Sequence, residues 1–432
     1  MRRAFLRKRT WVLLAALVFA AGDFALHMRM NARRDAELSA VTAPDAGAQD
    51  LVSRADDSEL EVEPHLAAQP DGRLAVAWMA SGGGRDEGGA RYIGVRVSAP
   101  GPGKWGPLVR VRSPAGMAAD PVLSPRPDGS FTLTWLAPGS PSHVYSARIL
   151  ADGAEAPIEV ATAGAIDRPW STVTPGGTTV VVFDYADGKT RGVAAAVAHD
   201  GVHFTRTNLA WGEDFTGELP RVCADDHLAV VTYVDSKQGV VVHQMPLDPQ
   251  GPVGTTVASS PNEHVAREPP ACFLSGQDTF VVYATTDKPV EWRRRAVGSE
   301  LEEAPIIDSM VFARSRDGGR TFWGRAAHRP SSKLLHPTLV RAESGAFGML
   351  AMMGAGAGDT HGSASVVALS TDGRSQSGLT RTALAPVTFA VRRDGPGYVG
   401  DYLGFARVGD ALFAAVVDNA AGEAHVAVVR VP

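Results

Sequence analysis

The chain has 432 residues, a formal net charge of −5 and 21% charged residues, with 46 glycines and 29 prolines. This slightly acidic balance, with no basic stripe interleaved with aromatics, excludes nucleic acid as a partner. Glycine and proline at this level, without long helical periodicity after the N-terminus, point to many short strands joined by turns.

Arg2, Arg3, Arg7, Lys8 and Arg9 precede an apolar run from Trp11 to Gly22. A basic region followed by an apolar stretch of this length is an export signal. Two outcomes stay open. Ala20-Ala21-Gly22 offers small residues for cleavage, while Phe24 to Met28 extends the run into an uncleaved anchor helix that tolerates Asp23. Residues 1–34 are therefore read as signal or anchor, 35–61 as an Ala-, Asp- and Ser-rich tether, and 62–432 as the folded body. The expected location is periplasmic or extracellular, with membrane contact only through the N-terminal segment.

From Glu63 onward one unit recurs: a polar residue, Pro, a short apolar strand, a Gly/Asp turn, then a β-rich strand ending in an aromatic. Examples are Glu63-Pro64-His65 leading to Trp78, Asp120-Pro121-Val122 to Trp135, Arg168-Pro169-Trp170 to Phe183, Leu219-Pro220-Arg221 to Tyr233, and Glu268-Pro269-Pro270 to Tyr283. His336-Pro337 and Asp401-Tyr402 open two further units. A period of about 50 residues is the signature of propeller blades. Each Pro is expected at the first residue of a strand, where no ladder donor is lost. Six or seven four-stranded blades follow, seven being the number of repeat starts.

The sharpest motif is Ser315-Arg316-Asp317-Gly318-Gly319-Arg320-Thr321-Phe322. Asp317 can accept backbone N–H bonds across its own turn, the glycines supply positive φ, and Phe322 opens the next strand. Weaker versions stand at Leu150 to Gly153, Ala198 to Phe204 and Ser370 to Gly373. This motif, with Asp167-Arg168-Pro169-Trp170 and Gly400-Asp401-Tyr402-Leu403-Gly404, resembles those of exported sialidase-like Asp-box (BNR-repeat) propellers. In that likeness Ser315, Asp317, Gly319, Thr321 and Phe322 are structural. The resemblance implies a glycan-interacting protein, an exo-glycosidase on anionic sugars if catalytic. Asp86, in the Ser81 to Gly88 loop, matches the acid/base aspartate by position, and Tyr402 or Tyr398 is the candidate nucleophile. Sialidases are similar in opening their arginine triad with Arg-Ile-Pro; here the position reads Val62-Glu63-Pro64. The competing class is a non-catalytic binding or assembly propeller of the cell envelope, with an envelope protein as partner. A monomer is expected.

The start of the first strand and the end of the second share one face of such a fold. The repeat places Glu63, Asp120, Asp167, Arg168, Glu218, Arg267, Glu268, His336 and Asp401 there, with Asp86, Asp184, Asp187, Asp235, Asp287 and Asp418 at the second-strand ends. Opposed carboxyls suit glycoside hydrolysis or hard-oxygen binding of Ca²⁺; the alternative is that each caps its own turn. No other cofactor is expected. Arg168 beside Trp170 suits a sugar acid through a guanidinium fork and ring stacking, with Asp120, Asp167 and Asp401 as further contacts; the alternative makes Trp170 an inter-blade core residue. His199 and His203 lie on a Gly-containing turn and lack the geometry of a zinc pair.

Cys223 and Cys272 each follow the repeat proline by three residues. If the phasing holds, both sit at one position on inner strands of adjacent blades, within reach of a disulfide. The alternative is two buried thiols.

Overall fold

The computed structural model describes residues 50–51, 60–81, 91–100, 104–248, 254–276, 278–287, 289, 309–328, 333–341, 347–354, 361–369, 380–390, 404–409, 411–418 and 425–431. The signal or anchor expected at residues 1–34 lies outside them.

The described strands form seven antiparallel sheets. From inner to outer strand, blade one comprises Leu60–Ala68, Leu74–Ser81, Arg91–Val97 and Val109–Val111. Blade two comprises Ala119–Pro125, Phe131–Ala137, Ser142–Ile149 and Ile158–Ala163; blade three, Ala165–Val173, Thr179–Asp187, Thr190–Ala198 and Thr205–Gly212. Blade four comprises Gly217–Ala224, Leu228–Asp235, Gly239–Pro246 and Gly254–Val257. Blade five has a split inner strand, His264–Val265 and Ala271–Ser275, followed by Asp278–Thr286, Ser309–Ser315 and Trp323–His328. Blade six comprises Lys333–Arg341, Phe347–Gly354, His361–Leu369 and Thr380–Ala390. Blade seven takes Gly404–Val408, Ala411–Asp418 and His425–Val431, and completes itself with Asp50–Leu51 from the stretch assigned to the tether. Successive inner strands contact one another, and Leu60–Ala68 touches both Ala119–Pro125 and Gly404–Val408, which closes the ring. The seven repeat starts thus correspond to seven sheets around one axis.

The aromatic that ends each second strand holds the ring together. Trp78, Trp135, Phe183, Tyr233 and Tyr283 are fully buried. Each reaches the preceding blade: Trp78 packs with Phe413 and Val426, Trp135 with Ile93 and Val95, and Phe183 with Leu136 and Val144. Tyr233 packs with Val182 and Val193, and Tyr283 with Val230 and Val242. Removing one such side chain costs about 3–5 kcal/mol. Gly94 pairs with Trp78, and a Cβ there would lie 2.5 Å from the indole.

The prolines do share one position, but it is not the first residue of a strand. They sit inside the inner strand at a register shift: Val62 to His65, Ala119 to Val122, Asp167 to Trp170, Glu218 to Arg221 and Leu335 to Thr338. The bulge takes the residue before Pro and the Pro itself out of the ladder, so the missing N–H leaves no acceptor waiting. The residue before Pro pays in backbone strain, with positive φ at Glu63 (57°), Asp120 (51°), Arg168 (51°) and Leu219 (60°); such a non-glycine conformation costs on the order of 1 kcal/mol or more. In blade five the Pro269-Pro270 pair falls in the gap between the two inner segments.

The Asp-box closes the third-to-fourth-strand turn of blade five as its chemistry requires. Asp317 Oδ1 accepts from the N–H groups of Arg320 (3.0 Å) and Thr321 (2.9 Å), Thr321 Oγ1 donates to Oδ2 (2.6 Å), and Ser315 Oγ accepts from Gly319 N (2.8 Å). Gly318 and Gly319 take φ of 69° and 89°. Thr256 and Gln244 of blade four bond the carbonyls of Arg320 and Gly318, so this turn also ties two blades. A shorter copy in blade three has Asp200 Oδ1 accepting from Val202 N and His203 N, with His203 Nδ1 at 2.6 Å from Oδ2. His203 therefore does the work of Thr321.

Cys223 and Cys272 form a disulfide with Cα atoms 5.8 Å apart, joining the inner strands of blades four and five. The closed loop is worth about 4 kcal/mol on the chain-entropy estimate. Unfolded, unreduced protein should show no titratable thiol, and the Cys223→Ser/Cys272→Ser double variant should lose up to about 4 kcal/mol of stability in denaturant titration; an unchanged midpoint would contradict the bond's role. Burial alone raises the Asp317 carboxyl, but hydrogen bonds from Ser315, Thr321 and the backbone outweigh it and hold its pKa at about 2. Its contribution is present above the unfolded carboxyl value of about 3.9 and lost as pH falls through about 2. Asp317→Asn should therefore melt a few degrees below wild type at pH 7, with the gap shrinking towards pH 2; a gap independent of pH would refute this account.

Candidate site at the channel mouth

The strained bulges set two tiers of side chains around the axis. The upper tier is charged: Glu63, Asp120, Asp167, Arg168 and Glu218, with Asp184 from the end of blade three's second strand and Arg267 from blade five. Asp184 pairs with Asp167 in register, and Leu219 N donates to its Oδ2 at 3.1 Å. Arg168 N donates to Asp167 Oδ1 at 3.0 Å, and Asp120 N donates to Glu63 Oε2 at 3.3 Å. Glu218 and Arg267 form a two-point ion pair between blades four and five.

Not all of these carboxyls can ionise together. Burial pushes Asp120 well above the usual carboxylate range, reinforced by Glu63 and Asp167 and partly offset by Arg168. Burial likewise raises Asp184, with Asp167 and Glu218 adding to the shift and the Leu219 N–H and Arg168 opposing it. Asp120 and Asp184 are thus both raised well above the usual carboxylate range, and carboxyls whose environments shift their pKa values are what acid and base roles are built from.

The lower tier is an axial stack. Arg221 is buried, with its guanidinium carbon 3.5 Å from the centre of the Trp170 ring. His65 meets the same indole edge-on at 5.0 Å. Leu123 N donates to His65 Nδ1 at 3.1 Å, which requires the neutral ring; burial and then Arg221 lower its pKa to about 3. Three blades thus meet across the axis beneath the carboxyls.

The sequence-derived residues divide accordingly. Asp120, Asp167 and Arg168 are neighbours at the mouth. Trp170 does not offer its face beside Arg168: Arg221 covers it, and it packs against blade four. Asp86, Tyr398, Asp401 and Tyr402 lie outside the described residues. Asp235 caps its own turn, accepting from Lys237 N and Gln238 N, and so follows the structural alternative. Arg221 and His65 were missed as partners; their signal was the position immediately after each repeat proline. Among the described residues no three His, Cys, Asp or Glu side chains are placed to hold a metal ion.

No family model matches the sequence, and no curated protein matches it. Solved structures match in fold. Phage phi92 endosialidase superposes with a TM-score of 0.51 at 9% identity, over 89% of this chain and 69% of that chain. The α-L-arabinanase of Penicillium chrysogenum, solved with arabinobiose, gives 0.50 at 14% identity, over 89% and 98%. A protein of unknown function from Dyadobacter fermentans DSM 18053 gives 0.48 at 13% identity, over 89% and 98%. At these identities the likeness shows architecture: the chain shares its propeller fold with sialidases and arabinanases.

Asp120 and Asp184 bind protons more tightly folded than unfolded, so the stability they contribute is fully present below about pH 4 and declines as pH rises through their raised folded values. Asp120→Asn keeps the shape and removes the titration. Its melting temperature should gain on wild type as pH increases from about 4; parallel melting curves across pH would show that Asp120 is not held protonated.

Proposed function

We propose that this chain is an exported propeller that binds an anionic glycan at the channel mouth and hydrolyses it. One observation carries the reading: Asp120, a carboxyl that burial raises well above the usual carboxylate range, lies against Glu63 with Arg168 at the same rim. In this scheme Asp120 gives its proton to the departing glycosidic oxygen. A second mouth carboxyl, set apart from the hydrogen-bonded Asp120–Glu63 pair, acts as base or nucleophile. Arg168 holds the sugar's acidic group. The fold shared with sialidases and arabinanases, and a disulfide suited to an oxidising compartment, support the reading.

A second reading, a non-catalytic glycan-binding or assembly propeller, is favoured by a specific pair of observations. Val62-Glu63-Pro64 carries no arginine where sialidases begin their carboxylate clamp, and the Arg267 guanidinium is engaged by Glu218.

Reducing-end release from sialosides, uronides and arabinosides, run beside calorimetric binding to the same panel, separates the two. Hydrolysis should favour an acidic sugar, and Asp120→Asn should reduce turnover at least about 100-fold while binding persists. Binding without release at any pH would select the non-catalytic reading; neither binding nor release would reject both.

A further inference from the structure

We infer that the open edge of blade three docks an extended peptide segment of another protein, one with apolar side chains at alternate positions and a carboxylate beside them. The inference is independent of the glycan reading. The site lies where blade three's third strand ends and its outer strand begins, at the opposite end of the blade from the channel mouth.

An outer strand presents unpaired backbone groups, and folded proteins blunt such edges by keeping them short, covered or charged. The outer strands of blades one and four have three and four residues, and half of blade two's is buried. Blade three departs from this. Thr205–Gly212 has eight residues, pairs only with Thr190–Ala198 among the described strands, and exposes Thr205, Arg206, Thr207 and Asn208 in a row. Its single charged side chain does not guard the side towards blade four: the Arg206 guanidinium lies 4.2 Å from the Tyr185 ring centre and donates to the Thr162 carbonyl of blade two.

The side towards blade four opens into a cavity of about 790 Å³. Thr205 and Thr207 line it, opposite Val197 and Ala195 in register, and Leu209, Met245 and Leu247 supply its apolar floor. The floor is open because blade four's outer strand, Gly254–Val257, pairs only with Val241 to Gln244, so Met245 and Leu247 have no outer neighbour among the described strands. Free backbone and an apolar cavity thus lie side by side. Strand addition uses this combination: main-chain bonds supply affinity, and pockets for alternate side chains supply specificity.

Charge at the rim narrows the occupant. The titratable residues lining the cavity are His199, Asp200, His203 and His243. Asp200 is taken by Val202 N, His203 N and His203 Nδ1, while Nδ1 of His199 and of His243 meets the hydroxyls of Thr178 and Thr255. Three imidazoles against one occupied carboxylate suit an acidic group on the incoming segment. A second copy paired edge to edge does not supply this pattern, since Thr205–Gly212 contains no Asp or Glu and its four exposed leading residues are all polar.

Fluorescence anisotropy with labelled nonapeptides tests the docking site on the intact chain. The probe alternates Val or Leu with Thr between terminal glutamates; the controls scramble its order, replace Glu by Lys, or N-methylate each alternate set of amides in turn. Wild type should bind the probe, and scrambling, the Lys exchange and N-methylation of one set should each weaken binding roughly tenfold, about 1.4 kcal/mol. Thr207→Glu places a charge on the exposed edge and should weaken the probe similarly at an unchanged melting temperature, whereas Thr207→Val should retain it. Full binding after N-methylation of either set would overturn strand addition, as would an unaffected Thr207→Glu or no binding of the probe at millimolar concentration. A concentration-dependent dimer in sedimentation that Thr207→Glu abolishes would give the edge to a second copy and overturn the peptide proposal.

Discussion

The molecule is organised by an interruption of hydrogen bonding. In the inner strand of five blades a residue and the proline after it step out of the ladder, as at Glu63-Pro64, Asp120-Pro121, Arg168-Pro169 and Leu219-Pro220. A continuous strand would alternate its side chains strictly between neighbouring blades. The bulge breaks that alternation once in each of these blades. The charged tier and the Trp170–Arg221 stack both come from this one device, repeated around a ring. The positive φ at the residue before proline, at Glu63, Asp120, Arg168 and Leu219 alike, is the energetic cost of the bulge.

That arrangement explains why the mouth is electrostatically uneven. Glu218 and Arg267 neutralise each other across one seam, whereas Asp120 and Asp184 are raised well above the usual carboxylate range, by burial first and by neighbouring carboxyls second. Beneath them Arg221 rests on an indole, a contact of the order of 2 kcal/mol when desolvated. The upper tier remains acidic, with the carboxyls of Glu63, Asp120, Asp167, Asp184 and Glu218 against the guanidinium groups of Arg168 and Arg267.

Much of the fold was legible because repetition makes position visible. The spacing of Pro64, Pro121, Pro169 and Pro220 set the blades, and the shared offset of Cys223 and Cys272 put them within reach of a bond while leaving two buried thiols open. The turn chemistry of Asp317 was written in residue types with few alternatives. The bulge itself was not legible: a proline at a strand start and a proline in mid-strand read alike, since both avoid a lost donor. For the same reason Trp170 looked like a neighbour of Arg168 when it belongs to the opposite side of the proline. Side chains that meet across an axis, such as His65, Trp170 and Arg221, lie in different repeats, and nothing local in the sequence joins them.

The seventh blade is completed by two residues from the other end of the chain, Asp50 and Leu51 against Val428 and Ala427. Such a contact is among the most distant in sequence that this chain can make, and loop closure of that length is slow and entropically costly. Six blades can assemble as the chain emerges, but the ring cannot become a ring until the last strand is made. Its seam is short, while the bond at Cys223–Cys272 fastens another junction covalently. When the ring opens by local unfolding, it should part at the seam between its two ends, which makes the last blade the first to exchange its amide protons.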